Sequence, residues 1–228
     1  MPVTINGDGS ITGLAVGGLP NGSVDADSLA SNAVTSTKLA TNAVTTNKIA
    51  NGAATQAKRT YAAGEVIQVK KTVITVPTGE TMSTGYQVVG NGFEITITPT
   101  SASNHIYLMG HINMESHQQY CSLKFGRYIG GVESNPAGFN GQQGGSNQVS
   151  GWSGNLYRAG NHDSYGNTNQ PFNLVDTDHN TTNAITYKLQ VTNSSGAYSV
   201  FFNRTHTDSN TTYSYRAVST IIAMEIQV

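Results

Sequence analysis

The chain of 228 residues is long enough for one sizeable domain plus an appendage. Only 11% of its residues are charged and the formal net charge is −1, so nucleic acid and an anionic membrane surface are excluded as electrostatic partners. The single Cys121 excludes an intrachain disulfide, and no apolar run is long enough for a transmembrane helix. Polarity comes instead from Gly, Asn, Ser and Thr, while 11 Tyr, 6 Phe and 1 Trp are enough for a real core.

The opening MPVTINGDGS has neither the basic nor the apolar region of a secretory leader, so synthesis in a cytoplasm is expected. Residues 1–20 alternate short apolar runs with Gly, which suits small strands or an extended docking segment. A ten-residue repeat follows: NGSVDADSLA, SNAVTSTKLA, TNAVTTNKIA and the decayed NGAATQAKRT. In register it aligns Val24, Val34 and Val44, then Leu29, Leu39 and Ile49, with Lys38, Lys48 and Lys58 beside them. One large apolar residue every five positions cannot be buried by the chain that carries it, and such units need stacked neighbours or other chains. Thr35 and Thr45 stand where an N-cap would, ahead of STKLA and TNKIA, and Asn42 follows where a left-handed residue can end the turn. Each repeat therefore reads as one helical turn, a bend and one extended step bearing Val. Three chains around an axis would place Val and Leu/Ile inside and Lys outside; the competing reading is a flexible Ala/Thr/Asn linker.

From about Glu65 the period changes to two, the signature of strands. Residues 66–76 are rich in Val, Ile and Thr; Phe93, Ile95 and Ile97 alternate with polar residues until Pro99; Ile106, Leu108, Gly110, Ile112 and Met114 alternate likewise. Further runs cover 120–129, 185–192, 198–204 and 213–228, and in the last Val218, Thr220, Ile222, Met224, Ile226 and Val228 share one face. Turn formers (PTGE, GNG, PTSASN, NSSG, DSN) separate the runs. Many short antiparallel strands without a long helical pattern predict a β-sandwich of jelly-roll kind. Residues 130–183 are Gly/Asn/Gln-rich, with only short strand candidates such as 152–158, and are expected to be long loops. Their aromatics Phe139, Trp152, Tyr157, Tyr165 and Phe172 are the candidate binding residues, because sugar C–H faces stack on aromatic rings. The alternative is that these rings anchor the loops to the sandwich.

Reactive constellations are few. His105, His111 and His117 recur every six residues and share a face on a strand, roughly 20 Å apart, too far for one metal; only copies meeting on a trimer axis could share one. Asp163, Asp176, Asp178 and His179 form a second cluster, but DTDHN lacks a calcium-loop pattern and reads as a turn. No spacing singles out a carboxylate pair for glycoside cleavage among the 13 acidic residues, so no enzyme activity and no cofactor are expected. Cys121 lies in a strand pattern and reads as a buried thiol. The sequons at Asn180, Asn193, Asn203 and Asn210 are attributed to chance in an Asn/Thr-rich chain.

The segment TINGDGSITGLAVGGLPNGSVDADSLASNAVT and the TKLATNAVTTNKIA repeats resemble the N-terminal region of fibre proteins of tailed bacteriophages, notably those infecting marine cyanobacteria. GFEITITPTSASNHIYLMGHI and STIIAMEIQV are similar to the β-sandwich heads of such fibres. The resemblance implies a homotrimer: residues 1–20 attached to other virion proteins of tail, neck or capsid, 21–60 as shaft, and 61–228 as head. It further implies residence on the virion and adhesion to host surface polysaccharide or protein, with a purely structural neck or capsid fibre as the alternative. The shaft core would be Val24, Leu29, Val34, Leu39, Val44 and Ile49.

Overall fold

Two successive repeats take the same conformation, residue for residue. The computed structural model describes residues 4–8, 11–12, 24, 27, 29–51, 53, 55, 59–83, 85–116, 121–141, 151–152, 166–193, 198–210, 212 and 214–228. The chain divides into two units, Met1–Arg59 and Thr60–Val228.

In the first unit, β1 (Thr4–Ile5) and β2 (Ile11–Thr12) pair antiparallel, Thr4 opposite Thr12. The repeats contain the 3-10 helices Ser36–Lys38 and Thr46–Lys48. Asn32 and Asn42 take left-handed φ values of 63° and 64°, the conformation short amide side chains tolerate best after Gly. The turn around each closes with Ala33 N–H to Ala30 O (2.9 Å) and Ala43 N–H to Ala40 O (3.0 Å). Lys38 and Lys48 then donate from Nζ to Ala33 O and Ala43 O, both at 2.8 Å, clipping the helical turn to the extended step before it. The expected Thr cap is corrected. Thr35 has the extended backbone of a cap, but its hydroxyl makes no cap bond and meets the Thr37 hydroxyl at 2.9 Å instead. A three-residue turn has so few orphan N–H groups that the lysine clip takes over the tying role.

The second unit is two antiparallel sheets sharing one core. Its strands are β3 (Val66–Ile74), β4 (Thr78–Met82), β5 (Gln87–Val88), β6 (Glu94–Ile97), β7 (His105–Ser116), β8 (Cys121–Ile129), β9 (Val132–Ser134), β10 (Thr168–Asp176), β11 (Ile185–Asn193), β12 (Tyr198–Phe202) and β13 (Ser219–Ile226). The first sheet runs β3-β13-β7-β12-β4, with β10 also on β7. Gly110 is opposite both Phe172 and Ile221, so β10 and β13 lie on the two edges of β7. In the second sheet β11 is central: β8 lines one edge, and β6 and β5 follow each other along the other. The core holds alternate residues of both sheets, among them Leu108, Ile112, Phe125, Leu189, Val191 and Phe202. Phe93 meets Phe202 with ring centroids 5.0 Å apart across the gap.

Several strands depart from the predicted layout. Residues 130–183 are not wholly loop: they contain β9 and the nine-residue β10. Pro171 and the polar TNQ disguise β10, yet among the described residues it pairs only with β7, and an edge position tolerates proline. β4, reading TGETM, was likewise invisible to an apolar alternation. The final strand starts at Ser219 rather than 213, since residues before it contribute only the isolated bridge Arg204–Arg216. Its inward face is Ser219, Ile221, Ala223 and Glu225, all 0% exposed. The bulkier Ile222, Met224 and Ile226 point the other way and are only partly covered. The short strand expected at 152–158 lies, after Trp152, outside the described residues.

Candidate functional site

The repeat presents the clearest unfilled demand. Val24, Leu29, Val34, Leu39, Val44 and Ile49 are each 45–54% exposed in the single chain. All six shaft-core candidates thus stand open, with no described residue of the unit burying them.

The expected loop aromatics behave otherwise. Phe139, just after β9, is 1% exposed and tilts against the Tyr187 ring at 5.9 Å. Phe172 sits in β10, 5% exposed. In the single chain both rings pack in the core, each at an inward position of the sandwich. Trp152 is partly buried; it stacks on Phe125 at 5.1 Å and 20°, and meets Phe172 at 5.1 Å. Phe125 belongs to β8 and Phe172 to β10, one from each sheet, so Trp152 plugs the side of the sandwich between those strands. A Cβ on Gly151 would come 2.2 Å from Leu123 O, so only glycine lets the backbone run this close to β8. Tyr157 and Tyr165 lie outside the described residues.

The acidic cluster resolves into an ion-pair network. Arg127 on β8 donates from one terminal nitrogen to Asp176 Oδ1 (2.8 Å) and Asp178 Oδ1 (2.7 Å), and from Nε to Ser134 Oγ (3.0 Å). Tyr187 on β11 donates its hydroxyl to Asp176 Oδ2 at 2.6 Å, and the Ala137 N–H reaches Asp178 Oδ2 at 3.3 Å. Arg127 is 8% exposed, and Asp176 and Tyr187 are 0%. Burial works against the charged guanidinium, but Asp176 and Asp178 outweigh it and hold Arg127 above its ordinary value. Burial would raise the Asp178 carboxyl; the bonds from Arg127 and the Ala137 N–H reverse that and hold it low. Burial, then the neighbouring Asp176, pushes the Tyr187 hydroxyl up. Every functional oxygen faces a donor of the fold, so the network ties β8, β10 and β11 together rather than presenting a reactive group. His179 is held between Thr181 O (3.1 Å) and Asn104 O (2.7 Å). Asp163 lies outside the described residues.

Two further networks were not anticipated. Glu225, on the inward face of β13, accepts from Thr100 N–H and Oγ1 (2.7 Å each), Asn104 Nδ2 (2.7 Å) and Gln68 Nε2 (2.6 Å). Burial would raise this carboxyl, but these hydrogen bonds prevail and keep it below the usual range. Asn203, left-handed at φ 57°, donates to Ile74 O at 2.8 Å and accepts from Ser219 Oγ at 2.6 Å. At 0% exposure it can carry no glycan. For Arg127 the available signal was parity, since it continues the inward series Cys121, Leu123, Phe125; for Glu225 parity gave none, because both faces of β13 carry apolar residues.

Among the described residues, no group of three His, Cys, Asp or Glu side chains is arranged to hold a metal ion. His105 and His111 share the outward face of β7, and His111 Nε2 lies 3.0 Å from Val218 O; His117 lies outside the described residues. The Cys121 thiol is buried and pushed up to about 12 by that burial, unsuited to nucleophilic use. No described helix is long and apolar enough to cross a membrane.

No protein-family model matches the chain, and no curated protein sequence is significantly similar to it. Solved structures give distant likenesses. Infectious bursal disease virus, Gx strain, is 14% identical with a TM-score of 0.35, covering 73% of this chain and 38% of that one. The VP2 subviral particle of the same virus is 13% identical with a TM-score of 0.34, covering 71% and 38%. T=1 particles derived from the virus are 13% identical with a TM-score of 0.34, covering 71% and 36%. The chain spans little more than a third of these proteins' length. A likeness this slight decides neither fold family nor activity.

Proposed function

We infer that the chain is the subunit of a homotrimeric virion fibre: residues 1–20 attach to other virion proteins, 21–60 form the shaft, and the β-sandwich serves as its structural head. One observation carries this reading. In the two described repeats the same conformation leaves Val34, Leu39, Val44 and Ile49 about half exposed, and Val24 at 51% and Leu29 at 45% stand equally open. Burying such a residue is worth roughly 1.5–3 kcal/mol, so copies laid side by side recover what one chain leaves in water. Closed rotational symmetry is the usual way to satisfy every copy alike. The virion setting, with synthesis in a host cytoplasm, rests on the resemblance of the opening residues and repeats to phage fibres.

The packing of Phe139, Trp152 and Phe172 against the sandwich favours a structural head over one built for receptor contact. Host adhesion, in which three weak sites would add by avidity, keeps Tyr157 and Tyr165 as its candidate contacts.

Light scattering on the full chain tests the trimer. The expected mass is three times the 24.0 kDa of one chain, lost when Val34, Leu39, Val44 and Ile49 are all changed to Asn. A one-chain mass for the unmodified protein at all concentrations would overturn the fibre reading.

A further inference from the structure

The outward face of the first sheet is built like an interior. Paired residues of adjacent strands stand side by side on one face, so register defines rows across it. One row is Val69, Met224, Tyr107 and Val175, crossing β3, β13, β7 and β10 in turn. Beside it run Lys71, Ile222, Met109 and Asn173. On β3, Val66, Val69 and Val73 are 47–55% exposed, and the β13 and β7 members are partly exposed. Lys71 is the only formal charge in these rows, and no carboxylate stands among them. The far end of β7 is different. There Glu115, opposite Phe201, is 5% exposed and accepts from the His206 N–H at 2.5 Å, so the chain covers its own sheet.

We propose that this four-strand face is the contact between head domains, its occupant a second copy of this chain; the proposal rests on the fibre reading. Three arguments choose that occupant. A nearly uncharged face offers no electrostatic handle to a foreign charged partner, whereas it matches its own copy, apolar against apolar. Four strands at ~4.8 Å spacing and about eight residues at ~3.3 Å make a patch of roughly 500 Å² in projection, larger than a lone exposed residue explains. Turned toward a threefold axis, each copy's patch meets parts of its two neighbours, and the three together hide up to roughly 1,500 Å², within the range of a specific interface. Such a contact is weak between free molecules and becomes strong when a tether raises the local concentration to the millimolar range. The tether is at hand: the repeat unit ends at Arg59, and the first strand after it, β3 at Val66, is a member of this same face.

A spin-label experiment on the full chain tests the contact. A nitroxide is attached at Thr220→Cys, on the outward face between Val73 and His111, with Val132→Cys on the second sheet as the control. Cys121, 0% exposed, stays unlabelled. The expected result is a trimer mass, an immobilised label at 220, and dipolar coupling between copies at 220 that exceeds that at 132. Adding Met224→Glu should abolish the coupling at 220. A trimer mass with a mobile, uncoupled label at 220, or stronger coupling at 132, would overturn this face and leave the fibre reading standing. A one-chain mass would overturn both.

Discussion

Arg127 shows how one inward charge shapes the core around it. Its partner Asp176 comes from β10 and is tied in turn to the Tyr187 hydroxyl on β11; without Arg127 this buried carboxylate would lose its cationic partner. Arg127→Ala should therefore cost about 3–5 kcal/mol, the penalty for stranding a buried carboxylate, read as a fall in the urea midpoint. Asp178 and Glu225 give stability a direction with pH. Both carboxyls are held below their ordinary values by donors present only in the folded chain. Their contribution is complete above the unfolded carboxylate range near pH 4 and is lost as pH falls through the lower folded values. Thermal melts should be flat from pH 7 to about 5 and drop steeply below about 4. Glu225→Gln should lower Tm at neutral pH and soften that acid drop. Gly110 is constrained by geometry alone: φ is 147° and a Cβ would stand 2.0 Å from Thr220 O. Gly110→Ala should destabilise by at least about 1–3 kcal/mol, by calorimetry, because β13 must move aside.

At the scale of elements, period two was legible wherever one face is apolar and the other polar. β6 shows it in EITI, and β7 in Ile106, Leu108, Ile112 and Met114. It failed at β4 and β10, which owe their strand state to the neighbours that accept them; TGETM and TNQPFNLVD carry little apolar signal of their own. It also could not say which face of β13 turns inward, since Ile221 and Ala223 alternate with Ile222 and Met224 and both faces read as core. The inward position of Glu225 is legible only through Thr100, Asn104 and Gln68, residues distant in sequence. Trp152 was singled out as a binding candidate, and the structure sets it between β8 and β10. Trp152→Ala should cost about 3 kcal/mol of stability, the usual scale for a large aromatic removed from packing. An unchanged unfolding midpoint would return Trp152 to the surface and strengthen the adhesive reading.

For the whole molecule, the repeat was the most legible feature and the one whose partner no single chain supplies. Its ten-residue spacing foretold one turn, one bend and one extended step; the lysine clip was not foreseen, because nothing in the letters TKLA says that Nζ folds back on a carbonyl five residues earlier. That clip has a consequence for how such a chain can vary. Each unit closes its own turn, Lys48 N–H to Thr45 O and Lys48 Nζ to Ala43 O, and reaches back across the joint through one backbone bond, Ala43 N–H to Ala40 O, which Ala53 N–H repeats on Ala50 O. A unit therefore asks of its neighbour only a peptide bond and one carbonyl that every unit supplies. Removing residues 41–50 joins Ala40 to Asn51, which stands where Thr41 stood, and should leave the head's melting temperature unchanged. Unequal crossing-over in the gene could then lengthen or shorten the rod in whole units, and reach would evolve independently of the head it carries.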